Sequence, residues 1–530
     1  MKKTMKQHSF ASRLKSLALV FSIGLAFASC ANEDIAQNPN GTDNNKNFTI
    51  FSTGDPATRT SMESNGAFYW EAGDKIWVKD DNGTWQQSRN APTEKTASFK
   101  FEVPGSFTKT STYKVYYPGQ NGNQNQVTIA ASQSQAEPNT TAHFGTSGDC
   151  GMADAAWSNT KNGFAFTLDH KAAYLLFLPR TSNTILHDCY LTKVEVNSDN
   201  DITSTYTLNP TTGKLTGTGT GKQITISTGG SGTYANGFPL TNNATSAATN
   251  GAYVVIKPGT HALKIRYWVK DVATNVEGTI TKILSSATYD PNKYYNITAN
   301  LNVRDYDGDH YYMWDAQEQY WKGHEWFLGG SQPTQTTQYA SGDYPRNSSD
   351  TNNRWYNESF PGWSVSNPAI HSCKDLPNAN EMSWYCMYGD PRWDGDELWT
   401  TMGHLYKGGM WFKKKSVLQA ENHYDTEKSA DNTIDLRTRN RDYGNFNYSS
   451  INNSGLPSAA DAGNYFYLPA LGYYYFGQLR DVGKIGYYWS SGANSQYSNN
   501  AYYLLFSSGR VGVDNSGGRD YGYRAEALFK

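Results

Sequence analysis

Two positions near the N-terminus have the residue types and spacing that processing enzymes recognise. Cys30 follows Ala28-Ser29 and the apolar stretch 17–27, which is too short to span a bilayer as a stable helix. Basic residues precede this stretch, as they do in a secretory signal. The arrangement predicts that residues 1–29 are removed as a lipoprotein signal and that the Cys30 thiol carries the lipid, such as palmitate.

The second position is Thr58-Arg59-Thr60, a lone basic residue between polar, turn-prone neighbours, and such loops are open to proteases. Residues 47–52 before it, and 67–70 and 75–78 after it, are rich in aromatic and β-branched residues and predict strands. A cut after Arg59 would make Thr60 the first residue and free the leading strand from the sheet. The gap would expose apolar side chains and unpaired backbone, which an added strand satisfies. The alternative is that Arg59 is an ordinary exposed loop residue.

Composition narrows the class of protein. The chain has 530 residues and a net charge of −2, so no basic field draws it to nucleic acid. It contains 38 Tyr, 22 Phe, 15 Trp and 48 Gly, a combination typical of β structure with many loops. We therefore predict a mainly β protein of roughly three domains.

The elements that would hold these sites fall into three regions after a flexible Asn/Asp-rich tether at 30–46. Strand-like runs predict one β-sandwich over 47–170 and a second over 171–303. From 304 to 530 Trp, Gly, Asn and Ser rise, which predicts an α+β domain. Asn378 and Glu381 have the spacing of a capping box and predict a helix there, and a second short helix is predicted over 397–405.

No arrangement of catalytic residues is present, so we predict that the protein is not an enzyme and needs no cofactor. His324-Glu325 lacks the second histidine of a zinc-protease helix, and no Gly-x-Ser-x-Gly or phosphate loop occurs. Alternate aspartates at 305, 307 and 309 leave calcium or a solvated acidic linker open. Ala316 stands where an EF-hand loop has its twelfth-position Glu, so no metal site is predicted.

Four cysteines remain after Cys30 and include no Cys-x-x-Cys pair, which excludes zinc-knuckle and thioredoxin-type motifs. Export permits disulfides. Cys373 and Cys386 are the nearer candidate pair, and Cys150 and Cys189 are the remaining one. Free buried thiols are the alternative, because the sequence does not give the Cα separations that a bridge needs.

Residues 47–303 resemble the fimbrillin family of Bacteroidetes pili. The resemblance lies in Thr58-Arg59-Thr60, in Trp70-Glu71-Ala72-Gly73-Asp74-Lys75-Ile76 and in the closing strand at 294–303. It implies two tandem fimbrillin-like β-sandwiches, export as a lipoprotein and cleavage by an Arg-specific protease. It also implies that a strand from another fimbrial subunit fills the groove left by the first strand.

The last domain resembles a repeated surface domain of Fibrobacter and Bacteroidetes proteins whose fold is similar to C-type lectins. The matching residues are Leu376-Pro377 with Glu381, Leu468-Pro469-Ala470, Tyr488-Trp489-Ser490-Ser491 and Tyr523-Arg524. Trp489-Ser490-Ser491 lacks the carboxylate and amide of calcium-dependent sugar binders, so that chemistry is not expected. Within this strand Trp489 is predicted to be a core residue.

These features together predict a fimbrial tip subunit that accepts a donor strand and carries an adhesive head at 304–530. The C-terminal residues 523–529 read as an integral strand rather than one to lend. The expected partners are other fimbrial subunits, a host or bacterial surface glycan or protein, and the outer membrane through the lipid before processing. The alternative is an uncleaved surface lipoprotein that binds glycans or host proteins without a pilus. Ligand contacts are predicted at Asn494, Tyr497, Asn499, Asp514, Asn515 and Arg519.

Overall fold

A computed structural model describes residues 48–53, 61–62, 68–337, 339, 341–431, 434–445 and 451–529. Cys30, Arg59 and Thr60 lie outside these residues. The described chain is mainly β, as predicted, with helices of at most ten residues. None of the described helices is long and apolar enough to cross a bilayer.

The N-terminal region is built on one sheet with the strand order β5-β4-β7-β10-β11-β1-β6, to which β12 adds by pairing with β10. β2 and β3 form a separate two-stranded pair among the residues that the structure describes. The elements are β1 (Thr49–Thr53), β2 (Ser61–Met62), β3 (Phe68–Tyr69), β4 (Trp77–Lys79), β5 (Trp85–Gln87), β6 (Lys100–Val103), β7 (Tyr113–Tyr117), β8 (Gln126–Ile129), β9 (Ser132–Gln135), α1 (Phe144–Ser147), β10 (Gly151–Ser158), β11 (Gly163–Phe166) and β12 (Asp169–His170).

The middle region has a three-stranded sheet, β19-β13-β22, and contributes β14, β17, β20 and β21 to a nine-stranded sheet. β8 and β9 leave the N-terminal region and pair with β15 and β17 here. The elements are β13 (Ala173–Arg180), β14 (Cys189–Ser198), β15 (Ser204–Leu208), β16 (Leu215–Thr216), β17 (Gln223–Thr228), β18 (Phe238–Pro239), α2 (Ala247–Asn250), β19 (Ala252–Ile256), β20 (Gly259–Asp271), β21 (Val276–Tyr289) and β22 (Tyr294–Asn300).

The C-terminal region contains a six-stranded sheet, β23-β33-β30-β31-β32-β26, with α3 packed against it. The predicted capping box is confirmed: the Asn378 side chain accepts from the Glu381 amide, and Glu381 accepts from the Asn378 amide. The elements are β23 (Tyr311–Tyr312), α3 (Ala379–Tyr388), β24 (Arg392–Thr401), β25 (His404–Lys413), α4 (Lys415–Ala420), β26 (Tyr443–Asn445), β27 (Tyr465–Pro469), β28 (Tyr473–Tyr475), β29 (Gln478–Arg480), β30 (Gly486–Ala493), β31 (Asn500–Ser507), β32 (Arg510–Gly518) and β33 (Tyr523–Arg524).

Separate hydrophobic clusters fill the three regions. One holds Phe51 and Trp70, a second holds Tyr174 and Val254, and the C-terminal clusters hold Trp489 among others. Trp489 is fully buried, as predicted. Val127 and Phe144 belong to the middle cluster although they precede residue 170. The 126–147 segment therefore packs with the middle region. The limits 47–170, 171–303 and 304–530 stay predictions.

The predicted helix over 397–405 is wrong, because these residues belong to the β24–β25 hairpin. Met402 and Gly403 make the turn with φ of 48° and 74°. Leu398 to Thr401 are all buried, which removes the alternation by which a half-buried strand is recognised. β24 also pairs with β21 through Thr279 and Glu397, so one nine-stranded sheet runs from the middle into the C-terminal region.

Candidate functional site

The leading strand β1 lies inside the N-terminal sheet rather than at its edge. It pairs in parallel with β11, where Phe51 stands opposite Phe164, and antiparallel with β6, where Phe51 stands opposite Phe101. Both backbone edges of β1 are therefore hydrogen bonded. Removing the strand would leave two neighbouring strands with unpaired backbone groups.

The Phe51 side chain fills a socket of aromatic rings. Its ring is fully buried and stacks on Phe164 with centroids 5.0 Å apart. Phe107 lies 5.0 Å away and Tyr113 6.5 Å away, both edge to face. Aromatic pairs of this geometry stabilise beyond the area that they bury. Phe51 is thus the main side-chain anchor of β1.

One wall of this socket is held by a polar contact. The Tyr113 hydroxyl donates to the Asp81 carboxylate and accepts from the Thr108 amide at 2.6 Å. Burial raises the pKa of Tyr113, and the bond to Asp81 raises it further. Tyr113 therefore stays protonated and keeps its ring fixed beside Phe51.

The end of β1 is tied by three contacts. Thr53 donates its amide to Phe99 O at 3.1 Å, and its hydroxyl accepts from the Phe99 amide at 2.9 Å. Lys161 Nζ donates to Thr53 O at 2.8 Å. The next described element begins at Ser61, so the covalent link between β1 and the other strands passes through the segment that contains Arg59.

The block Trp70–Ile76, which carried part of the sequence resemblance, is a structural turn. Trp70 is buried against Phe101 and Tyr117, at 4.9 and 5.5 Å between ring centroids. Asp74 is fully buried; it accepts from the Glu71 amide at 2.8 Å and from the Tyr117 hydroxyl at 2.9 Å. Gly73 has φ of 87°, which an L-residue rarely adopts. Trp70 and Ile76 of the block belong to the same hydrophobic cluster as Phe51.

Two of the predicted ligand contacts in the C-terminal region are buried structural residues. Asn494 is fully buried and donates to Asn440 Oδ1 and Asn515 O, while its carbonyl accepts from two backbone amides. Because both of its polar atoms are engaged inside the protein, Asn494 is placed to fix its loop. A direct contact with an external ligand does not fit this position.

Arg519 is also fully buried, with its guanidinium 4.6 Å from the Trp314 ring. It donates to Asn357 O at 2.7 Å, Ser359 O at 3.0 Å and Asn500 O at 3.1 Å. Burial lowers the pKa of Arg519 to about 10, so it remains charged at neutral pH. Arg519 thus joins two loops rather than presenting its charge to solvent.

The other four predicted contacts are more accessible. Tyr497 is 54% exposed and Asn499 is exposed, whereas Asp514 and Asn515 are half-buried. Asp514 accepts from the Ser516 amide at 2.7 Å, and the Asn515 amide donates to Asp442. Of the predicted set, Tyr497 and Asn499 have the exposure that ligand contact requires.

Sequence reasoning missed a group of exposed apolar side chains in a loop that is hydrogen bonded to the segment just before Tyr497. Trp363 is 70% exposed and Ile370 62%, and Val365 is exposed as well. Their loop is fixed by the bonds Ser364 N to Ser495 O, at 2.9 Å, and Ala369 N to Ser491 O, at 2.7 Å. We call Trp363, Val365, Ile370 and Tyr497 the loop face. The available signal was the apolar residues Trp363 and Val365 between Pro361-Gly362 and Pro368, with Ile370 shortly after, since a loop of this kind rarely buries them.

The last described residues are part of the core. Tyr523 and Arg524 form β33, which pairs with β23 and β30. Ala525 and Leu528 are buried, and Phe529 packs against the C-terminal cluster. The predicted strand over 523–529 is therefore present only at Tyr523–Arg524, and the described residues that follow pack against the core without forming a strand.

The candidate disulfide between Cys373 and Cys386 is not formed; these two and Cys150 and Cys189 are buried free thiols. Cys373 Sγ accepts from the Asp315 amide at 3.3 Å, and burial raises its pKa to about 12. Within the described residues, one group of possible metal ligands occurs, Asp307, Asp309 and His310, whose ligand atoms lie within 4.8 Å of one another. Exposed acidic groups of this kind are common without an ion.

No protein-family model matches the chain, and no curated protein matches it. Among solved structures, a candidate cell adhesion protein of Bacteroides ovatus is 16% identical, with 48% of this chain and 93% of that chain covered and a TM-score of 0.29. The fimbrial anchor protein Mfa2 of Porphyromonas gingivalis is 11% identical over 45% of this chain and 83% of its own, with a TM-score of 0.22. A fimbrial protein of Bacteroides ovatus is 12% identical over 91% of this chain and 98% of its own, with a TM-score of 0.26. At these scores the similarities carry no assignment of function.

Proposed function

We propose that the protein is a fimbrial subunit and adhesin that exchanges its own strand β1 for a strand of another subunit. The observation that carries this proposal is the position of β1. It is paired on both edges and anchored by buried Phe51, yet its link to the other strands runs through the segment with Arg59. A single cut there separates a core strand from its sheet.

The energetics favour replacement over an empty groove. Loss of a buried Phe side chain alone costs about 3–5 kcal/mol, and unpaired backbone in β6 and β11 adds to this. A donor strand that runs parallel to β11 and antiparallel to β6 would restore both ladders. An apolar side chain at the Phe51 position would refill the socket.

The tip position is supported by the C-terminal segment. Tyr523, Ala525 and Leu528 are core residues, so this segment is not available as a strand to lend. A subunit that accepts but does not donate ends a polymer. The region 304–530, with its resemblance to C-type lectin folds, then projects farthest and binds a surface glycan or protein, with the loop face as its contact.

Location follows from the predicted processing. Cys30 anchors the precursor to the outer membrane through its lipid, and cleavage after Arg59 releases the chain into the fimbrium. The function is binding and assembly, not catalysis.

The decisive test of strand exchange uses the intact chain and an Arg-specific protease. Cleaved protein is incubated with a labelled peptide of residues 47–59, and binding is followed by fluorescence anisotropy. We expect the peptide to bind cleaved protein and not uncleaved protein. The same peptide with Phe51→Ala is the matched control and should bind at least tenfold more weakly. Equal binding to uncleaved Arg59→Ala protein would refute exchange.

A second function, a surface lipoprotein that binds without a pilus, is favoured by one observation. With β1 in place, the N-terminal sheet is complete without any partner strand. Sequencing the N-terminus of protein from the cell surface separates the two functions. Thr60 as first residue supports the fimbrial subunit, and lipid-bearing Cys30 supports the static binder.

A further inference from the structure

A groove of about 520 Å³ lies where the middle and C-terminal regions meet. One wall is formed by β14, β17 and β20, and the other by the start of β24 and the loop 454–459. Its lining includes the cationic side chains of Lys222, Lys264 and Arg392 and no carboxylate. We call this the junction groove.

The two lysines of the junction groove have hydrogen-bond donors that the described residues do not use. Lys222 Nζ donates to Asp199 O at 2.8 Å, and Lys264 Nζ donates to Leu456 O and Pro457 O at 3.0 and 3.1 Å. In the described part of the chain neither lysine forms an ion pair. Each ammonium has three donors, so both keep at least one for a ligand.

Arg392 is partly engaged as well. Its Nε donates to Asp390 at 2.8 Å, and its Nη1 donates to Ser454 Oγ at 3.3 Å. The Tyr465 hydroxyl also hydrogen bonds with the Arg392 side chain. Arg392, although paired with Asp390, therefore contributes a positive charge beside the two lysines.

Lys264 would gain most from an anion. Burial lowers its pKa, and the positive charges of Arg266 and Arg392 act in the same direction, while Glu195 and Asp394 oppose them. A negative group in the groove would favour the charged ammonium. The lysine already bridges the two regions, so an anion bound to it would touch both walls.

The rest of the lining suits a sugar rather than a bare ion. Asn197 and Gln223 supply amides, which are bonded to each other from Gln223 Nε2 to Asn197 Oδ1 at 3.0 Å. Ser454 and Ser458 donate their hydroxyls to Asn452 and Asp461, and each oxygen has two lone pairs with which to accept. Leu456 with Pro457 supplies an apolar floor. Pockets of roughly 300–1,000 Å³ hold small organic ligands. We propose that the junction groove binds an acidic saccharide unit, whose sulfate or carboxylate meets the cations and whose hydroxyls meet the amides and serines.

This site is separate from both β1 and the loop face. Its residues take no part in strand exchange, so the experiment does not depend on cleavage after Arg59. Binding here would give the protein an acid-sugar specificity that an aromatic surface alone lacks.

The test is isothermal titration of the full chain with three disaccharides of similar size: one sulfated, one with a uronate carboxylate and one neutral. Inorganic sulfate is the fourth probe. We expect one acidic disaccharide at least to bind tenfold more tightly than the neutral one and than inorganic sulfate. The stronger of the two acidic sugars identifies the source of the charge.

The matched variants are Lys222→Glu and Lys214→Glu, both at exposed lysines, the second outside the groove. Lys222→Glu should weaken binding at least tenfold and Lys214→Glu by less than twofold, and added salt should weaken binding by the unaltered chain. Thermal unfolding of both variants verifies that they fold. Equal binding of neutral and acidic sugars, equal binding of inorganic sulfate, or an unchanged affinity in Lys222→Glu would each overturn the proposal.

Discussion

Phe51 and Phe164 stack across a parallel strand pair, with ring centroids 5.0 Å apart and ring planes 18° from parallel. One ring belongs to the chain before Arg59 and the other to the chain after it. Trp157 extends the row beyond Phe164, edge to face at 5.4 Å. The cohesion of this sheet therefore depends on a residue that a cut would detach.

The first prediction concerns Phe51→Ala in the uncut chain. Because Phe51 is fully buried, we expect the free energy of unfolding to fall by about 3–5 kcal/mol. Urea unfolding followed by circular dichroism measures the change. Ile50→Ala, on the half-buried neighbour, is the control and should cost clearly less. An equal loss of unfolding free energy in the two variants would contradict the role of Phe51 as the main anchor of β1.

The second prediction separates structural from ligand-binding residues in the C-terminal region. Arg519→Met should lower stability by about 2–4 kcal/mol, because three backbone carbonyls lose their donors. Tyr497→Ala and Trp363→Ala should change stability by less than about 0.5 kcal/mol, because both side chains are exposed.

A binding screen completes this comparison. Immobilised glycans and matrix proteins are probed with the three variants. We expect Tyr497→Ala and Trp363→Ala to lose binding while staying folded. Full binding by both exposed-residue variants would remove the loop face from the proposed adhesive surface.

The third prediction concerns the junction of the middle and C-terminal regions. Arg266 Nη2 lies 2.9 Å from Asp394 Oδ1, and both side chains are largely buried. Arg266→Met leaves that carboxylate without its cation, so we expect a loss of about 3–5 kcal/mol in thermal or urea unfolding. The double variant Arg266→Met with Asp394→Leu should recover most of it. A double variant as unstable as the single one would contradict this account.

The fourth prediction is a pH dependence from His143. Burial lowers its pKa from the usual 6.5 to about 4, and its Nε2 lies 3.1 Å from Tyr253 O. The unfolded chain takes up a proton below pH 6.5 that the folded chain refuses, so stability is lost as pH falls from 6.5 to 4. The contribution is about 1–3 kcal/mol. Unfolding between pH 4 and 8 should show a flatter profile for His143→Gln; identical profiles would exclude His143 as the cause.

The features predicted best from the sequence are those formed by residues close together in the chain. The Asn378–Glu381 capping box was readable because both partners lie within one turn. The hairpin at 397–405 was not predicted, since Leu398 and Leu405 are buried in the cluster of the middle region and Trp399 and Met402 in that of the C-terminal region, by residues that are distant in the chain.

The same limit applies to the predicted ligand contacts, because their exposure depends on residues that are distant in the chain. Polar residues in a loop suggest solvent contact, and Tyr497 has it. Arg519 does not, because it is fully buried and its Nη1 donates to the carbonyls of Asn357 and Ser359, some 160 residues earlier. Hydrogen bonds between residues so far apart in the chain leave no pattern in the sequence from which they could be predicted.

The sheet that continues through Thr279 and Glu397 has a mechanical consequence. β21 has 14 residues and spans roughly 45 Å, and β24 of the C-terminal region pairs with it. In the fimbrial subunit proposed above, a force on the C-terminal region would pass to the middle region through these paired strands and through the Arg266–Asp394 ion pair.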